Sequence, residues 1–386
     1  MTDDPSGSGN PLTRGRTPLS RRPTPKSPKA TIRPEPAPPP APPPRRSRAA
    51  KHPIVIVLSF FLTLALLLVL VAGTAVYWGY AEFSEPGPLA SERIVEIGRG
   101  SSASDIAATL EERGVISNRW VFVGAAQYLR NADTFQAGEY MFPARISMAE
   151  AMRIIVEGKV VQHEITIPEG LTSKQIVDLL NDDDVLVGAI ERIPLEGTLL
   201  PETYHFTRGT TRQALLDRMR QAHDRVVAQA WERRADNLPI GSPRELVTLA
   251  SIVEKETGRA DERPLVAGVF VNRLNRRMKL QSDPTVLYGL YGGSAWDRPR
   301  TIFRSDLERA NPYNTYQIAA LPPGPIANPG RAAIDAVANP SATDALYFVA
   351  DGTGGHAFAA TLDDHNRNVA RWREIEAGRS DAPTSN

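Results

Sequence analysis

The chain has 386 residues, a net charge of +1, and no cysteine. This excludes a disulfide framework, Cys-ligated zinc and thiol catalysis, and the near-neutral balance argues against a nucleic-acid partner for the molecule as a whole. The length leaves room for two or three domains after non-globular parts are removed.

Residues 1–53 hold 11 Lys/Arg against three Asp/Glu, and 15 of the 33 prolines. Such a segment cannot bury enough apolar surface to offset chain entropy, so a disordered tail is expected. Residues 54–80 form an uncharged apolar stretch of 27 residues, enough to cross a bilayer as a helix. Arg45, Arg46, Arg48 and Lys51 precede it and Glu82 and Glu85 follow. The positive-inside rule then places the N-terminus in the cytoplasm and the rest outside. A cleaved signal peptide is the alternative, but a long leading region and an over-long apolar segment argue against it.

An internal repeat follows. Gly100 pairs with Gly170, Ile106 with Ile176, Leu110 with Leu180 and Val115 with Val185, always 70 residues apart. Each copy predicts a short strand, a Gly turn, a Ser/Thr-capped helix and a second apolar helix or strand. Between the copies, 135–142 predicts a turn into a strand, and Ser147 caps a helix to about Val156. No catalytic set is visible here, and Glu169 reads as a turn residue.

Residues 195–206 predict a strand and turn, and 211–236 a long charged helix with His223 as a packing residue on its apolar stripe. The stretch Arg244 to Gly258 predicts the central helix. Ser242 caps it, Pro243 fits its first turn, Glu245 completes a Ser-x-x-Glu box and Gly258 is a natural stop. Leu246, Leu249, Ala250 and Val253 form its buried stripe. At about 100° per residue Glu256 projects from the edge of that stripe and Glu254 points away from it. Apolar neighbours and the negative helix end both favour the protonated form of Glu256, which is the state of a general acid. The alternative is a helix that simply ends in exposed charges.

A second helix starts near Asp261, its stripe made by Val266, Val269, Phe270 and Leu274 and its end basic over 272–277. Asp283 or Ser282 caps a short helix over 285–290. The segments 311–316 and 321–330 predict long ordered loops. A helix over 331–337, a strand over 346–350, a Gly-rich turn to His356 and a polar C-terminal helix follow, with 376–386 expected to be disordered. His356 is a weaker candidate for touching a ligand.

The turn 351–356 lacks the Gly-Lys-Ser/Thr of a phosphate loop, the six histidines show no metal spacing, and no Gly-x-Ser-x-Gly elbow appears. What remains is carboxylate chemistry with amide, hydroxyl and aromatic groups: Glu256, Gln281, Asp283, Tyr288, Asn314 and Tyr316. Such a set suits sugars better than phosphates.

These motifs carry a resemblance. Leu249 to Thr257, Val271-Asn-Arg-Leu274, Leu280-Gln-Ser-Asp-Pro-Thr-Val286, Tyr313-Asn-Thr-Tyr316, Leu321-Pro-Pro-Gly-Pro-Ile326 and Tyr347-Phe-Val-Ala-Asp351 stand in order, with Ile165 to Gly170 and Leu195-Glu-Gly197 before them. Over residues 90–375 the chain resembles the endolytic murein transglycosylase (YceG-like) family. The resemblance implies an α+β fold: a LysM-like α+β region over 90–195, then a catalytic domain over 196–375. It implies a lyase that cuts the MurNAc–GlcNAc β-1,4 bond within peptidoglycan strands and leaves 1,6-anhydro ends. Glu256 matches the family's catalytic Glu, with Glu254 in support. Gln281, Asp283, Tyr288, Asn314 and Tyr316 are candidate substrate-binding residues, and no metal or other cofactor is implied. The expected partners are glycan strands, the bacterial inner membrane as a single-pass anchor with the catalytic domain periplasmic, and peptidoglycan synthases. A peptidoglycan hydrolase using a second carboxylate, and a non-catalytic glycan-binding scaffold, are the rival readings.

Overall fold

A computed structural model describes residues 52–380 of the chain. The tail expected to be disordered lies outside the described residues apart from its last two, as does the terminus beyond 380. The chain divides into two units, residues 1–72 and 73–386. Helix α1 (Pro53–Ser84) is 32 residues long and apolar enough to cross a membrane by length and composition. Among its described large apolar side chains, those from Ile54 to Val76 are exposed. An unbroken apolar surface of this kind suits lipid better than water.

The second unit mixes helices with three separate two-stranded antiparallel sheets. The first copy of the repeat comprises β1 (Arg93–Ile97), α2 (Ala103–Glu112) and α3 (Arg119–Tyr128), and β2 (Gly138–Phe142) and α4 (Met148–Val156) lie between the copies. β1 pairs with β2, Arg93 opposite Phe142. Val95 and Ile97 alternate inward to a core with Ile106, Leu110, Phe122, Tyr140 and Phe142.

The second copy opens in the same way, with β3 (His163–Thr166) and α5 (Ser173–Asn181). Gly100 and Gly170 take left-handed φ values of +80° and +76°, which a side chain would resist. Ser102 and Thr172 each cap the following helix and are bonded back by Asp105 and Gln175. The copies then diverge. No second helix follows α5; the Asp183 carboxylate turns the chain by accepting from the Val185 and Leu186 N–H groups. The Arg212 guanidinium donates to the carbonyls of Leu180, Asn181, Asp183 and Gly188, binding this irregular stretch together as a helix would have done. β3 pairs with β4 (Thr203–Phe206), and α6 (Arg212–Glu232) adds Leu215, Leu216 and Met219 to the core of Ile167, Ile176 and Leu180. The boundary expected at 195/196 therefore falls inside one hydrophobic core that draws from both sides.

The third core surrounds α7 (Pro243–Glu256), packed by α6, α8 (Arg263–Asn275) and α11 (Arg331–Ala338). Every residue from Leu246 to Val253 is buried, so α7 is enclosed rather than half-solvated. Its hydroxyls are accommodated by bonding back along the helix, Thr248 to the Arg244 carbonyl and Ser251 to the Thr248 carbonyl. Ser251 Oγ also accepts from the Ile326 N–H at 3.0 Å, which ties the Pro-rich loop to the helix. The remaining elements are α9 (Asp283–Tyr291), α10 (Arg304–Glu308), the hairpin β5 (Tyr347–Ala350) and β6 (His356–Ala359), and α12 (Leu362–Ser380). α12 continues through residues expected to be disordered from 376, reaching Ser380.

Candidate active site

The site is built on the last turn of α7. Ser242 Oγ accepts from Glu245 N, and Pro243 occupies the first turn. The Glu245 carboxylate takes the Gly241 N–H rather than closing the box on Ser242. At the far end the helix ends at Glu256 with Thr257 as its C-cap, already extended at φ −138°, so Gly258 follows the end as the stop signal predicts. Three charged side chains, 254 to 256, then leave in three directions.

Glu254 turns inward. Its side chain is 5% exposed, and it accepts from Arg263 Nη2 at 3.1 Å and from the Gly330 N–H at 3.0 Å. The same Arg263 nitrogen reaches Glu169 at 2.9 Å, so Glu169 serves as an ion-pair partner as well as a turn residue. Burial raises the Glu254 pKa, and the Glu169 charge adds to this against the pull of the Gly330 N–H, Arg263 and Lys255. Lys255 donates to the Gly170 carbonyl at 3.3 Å and lies 4.2 Å over the Trp296 ring. The second copy of the repeat is thereby fastened to the end of α7.

Glu256 faces a cleft of about 460 Å³. Ser282 Oγ donates to its Oε1 at 2.5 Å. Burial is the main cause that raises its pKa to about 7, and the nearby Asp283 charge pushes the same way. The Ser282 bond and the Arg273 charge oppose them. The carboxyl is thus half protonated near neutrality, as a group that must give and then take a proton requires.

The α8–α9 connection holds this geometry. Ser282 precedes α9 but does not cap it with its side chain, because its hydroxyl is committed to Glu256. Its N–H donates instead to Thr315 Oγ1 at 2.9 Å, and Thr285 Oγ1 meets Thr315 Oγ1 at 2.8 Å. Arg273, 7% exposed, donates to the carbonyls of Leu346, Leu280 and Lys279 and to Gln281 Oε1. Gln281 is held at φ +53°, an unfavourable conformation for a side-chain-bearing residue.

Of the candidates from the sequence, Glu256, Gln281, Asp283 and Tyr316 line the cleft together. Tyr316 donates its hydroxyl to Asp283 Oδ1 at 2.7 Å. Tyr288 does not line it; its hydroxyl donates to the half-buried Glu196 at 3.1 Å and its ring packs 5.0 Å from Tyr313. Asn314 is 1% exposed, with its amide NH2 on the carbonyls of Asp306, Leu307 and Arg309 and its oxygen accepting from Tyr316 N. It shapes the loop that presents Thr315 and Tyr316, and its polar atoms are directed into that loop. His356 is held by Glu262 at 2.7 Å, and on α6 the His223 Nε2 is buried without a partner, so that packing residue is only half satisfied.

Sequence reasoning missed Ser282 as a partner of the carboxyl, Arg273, and the wall formed by Phe348, Val349, His365 and Val369. One signal was available: Arg273 lies seven residues after Val266, on the buried stripe of α8.

The fold and site define a polar cleft built around one proton-holding carboxyl on an enclosed helix. The YceG-like family model matches residues 95–371, and the chain belongs to that family. The endolytic murein transglycosylase of Streptococcus pneumoniae serotype 2 is 31% identical over 370 residues, covering 83% of this chain and 65% of that protein. The chain thus spans just under two thirds of the length of this relative. The Bacillus subtilis protein of the same name is 31% identical over 312 residues, covering 72% of this chain and 84% of its own. A crystal structure of a yceG-like protein from Listeria monocytogenes, 32% identical, covers 72% of this chain and 98% of that one with a TM-score of 0.45.

Proposed function

We propose that the chain is a membrane-anchored endolytic lytic transglycosylase of peptidoglycan, with Glu256 as its single acid and base. The observation that carries this reading is the Glu256 carboxyl, walled into a cleft and poised at about 7. The names of the relatives support the reaction class. Protonated Glu256 donates to the leaving glycosidic oxygen between MurNAc and GlcNAc. The oxocarbenium-like MurNAc is then attacked at its anomeric carbon by its own 6-hydroxyl, whose proton returns to Glu256. The C–O bond broken is replaced by the 1,6-anhydro bond, and no water is consumed. Ser282 fixes the carboxyl, while Gln281, Asp283 and Tyr316 offer the strand amide, carboxylate and hydroxyl groups.

In this reading α1 is a single-pass inner-membrane anchor with a cytoplasmic N-terminus, a LysM-like region precedes the periplasmic catalytic part, and peptidoglycan synthases are the protein partners. One observation favours a second reading: Asp283 shares the cleft with Glu256, and two carboxylates flanking a sugar bond are the equipment of a hydrolase. Digestion in heavy-oxygen water separates the two. The lyase leaves no solvent oxygen in the new ends, whereas labelled reducing ends establish hydrolysis.

A further inference from the structure

One part of the cleft lining is of a different kind. β5 and α12 supply Phe348, Val349 and Val369, which are apolar, and one polar side chain, His365. The His365 ring stacks on Tyr347, with centroids 5.1 Å apart and planes at 22°. Its Nδ1 is buried without any hydrogen-bond partner. A proton there would be an unpaired buried donor, the costlier of the two tautomers, so the proton belongs on Nε2. Burial and the Arg273 charge both lower the His365 pKa, which keeps the ring neutral at pH 7. The cleft therefore meets a fixed, uncharged N–H donor set in an apolar patch.

An acetamido group has the complementary chemistry, a methyl beside a carbonyl acceptor. We infer that His365, with Phe348, Val349 and Val369, forms the seat for an N-acetyl group of the strand, its Nε2–H donating to the acetamide oxygen while the methyl packs on the three apolar side chains. This deepens the glycan-strand reading above and rests on it for the identity of the ligand. His365 is then a specificity-determining contact supplied by α12. It takes no part in proton transfer at the sugar bond.

The test is equilibrium binding on the full chain carrying Glu256→Gln, so that the strand is not consumed. The probes are soluble, peptide-free GlcNAc–MurNAc oligosaccharides and the same oligosaccharides after N-deacetylation. His365→Phe keeps the ring on Tyr347 and removes the donor; it should weaken the acetylated probe about tenfold and leave the deacetylated probe unchanged. His365→Gln retains an N–H at a similar reach and should recover part of the loss, and it serves as the second variant should the first fold poorly. Equal weakening of both probes, no weakening of either, or no binding of either probe overturns the inference. Digestion by the otherwise unaltered chain is scored separately: absence of anhydro ends there removes the transglycosylase reading while leaving the acetyl-dependent difference in binding readable.

Discussion

Two carboxyls two residues apart on the last turn of α7 show how position, rather than residue type, assigns a role. Both have raised pKa values, and burial is the largest cause in each case. Glu254 is answered from two sides, by Arg263 and the Gly330 N–H, and Glu169 shares the same Arg263 nitrogen. Glu256 is answered by one hydroxyl and an open cleft. The first arrangement joins three segments of chain at one point. The second leaves a proton available to whatever enters.

The largest effect expected on chemistry is from Glu256→Gln, which keeps the shape and removes the titrating proton; turnover of peptidoglycan should fall by about a thousandfold or more. Its stability should move the other way. The folded chain holds this proton more tightly than the unfolded one, so Glu256 makes the fold less stable as pH rises from 4.5 to about 7. The variant lacks that slope, and thermal melting at pH 8 should show it no less stable than the parent. Glu254→Ala should invert this pattern. It leaves the Arg263 guanidinium short of a buried partner and should cost about 3 kcal/mol in denaturant unfolding, while the pH dependence of turnover, which Glu256 sets, stays as in the parent.

Ser282→Ala sharpens the contrast. Its hydroxyl lowers the Glu256 pKa, so its loss should carry the alkaline limb of the pH–rate profile upward by up to about one unit and slow turnover several-fold. In the parent chain that limb should fall near pH 7, where the proton is lost. The smallest effect belongs to Glu169→Ala. Its carboxylate is 39% exposed, so solvent screens the pair and the loss should be below about 1 kcal/mol by the same unfolding measurement.

Much of this helix end was legible in the sequence, because the signals are local. Ser242 and Pro243 set where α7 begins, and the spacing of Leu249, Val253 and Glu256 put Glu256 at the apolar edge; the burial of Glu254, expected to point away, was not legible, because it depends on Arg263 and the Gly330 N–H from other elements. The repeat was legible for the same reason: Gly100 with Gly170 and Ser102 with Thr172 are turn and cap signals read within a few residues. The divergence of the second copy was not, since it depends on Arg212 reaching back some thirty residues to four carbonyls. Ser282 read as a helix cap because its true partner lies 26 residues away in another helix. Asn314 shows the converse limit. An amide in a Tyr-Asn-Thr-Tyr run suits a sugar by type, and only the fold reveals that its donors face the carbonyls of its own loop.

The most direct test of the account is mass spectrometry of the products released from one peptidoglycan preparation by the parent chain and by Glu256→Gln. The account predicts muropeptides with 1,6-anhydroMurNAc ends from the parent and none above background from the variant. Reducing ends from the parent, or equal digestion by the variant, would contradict it.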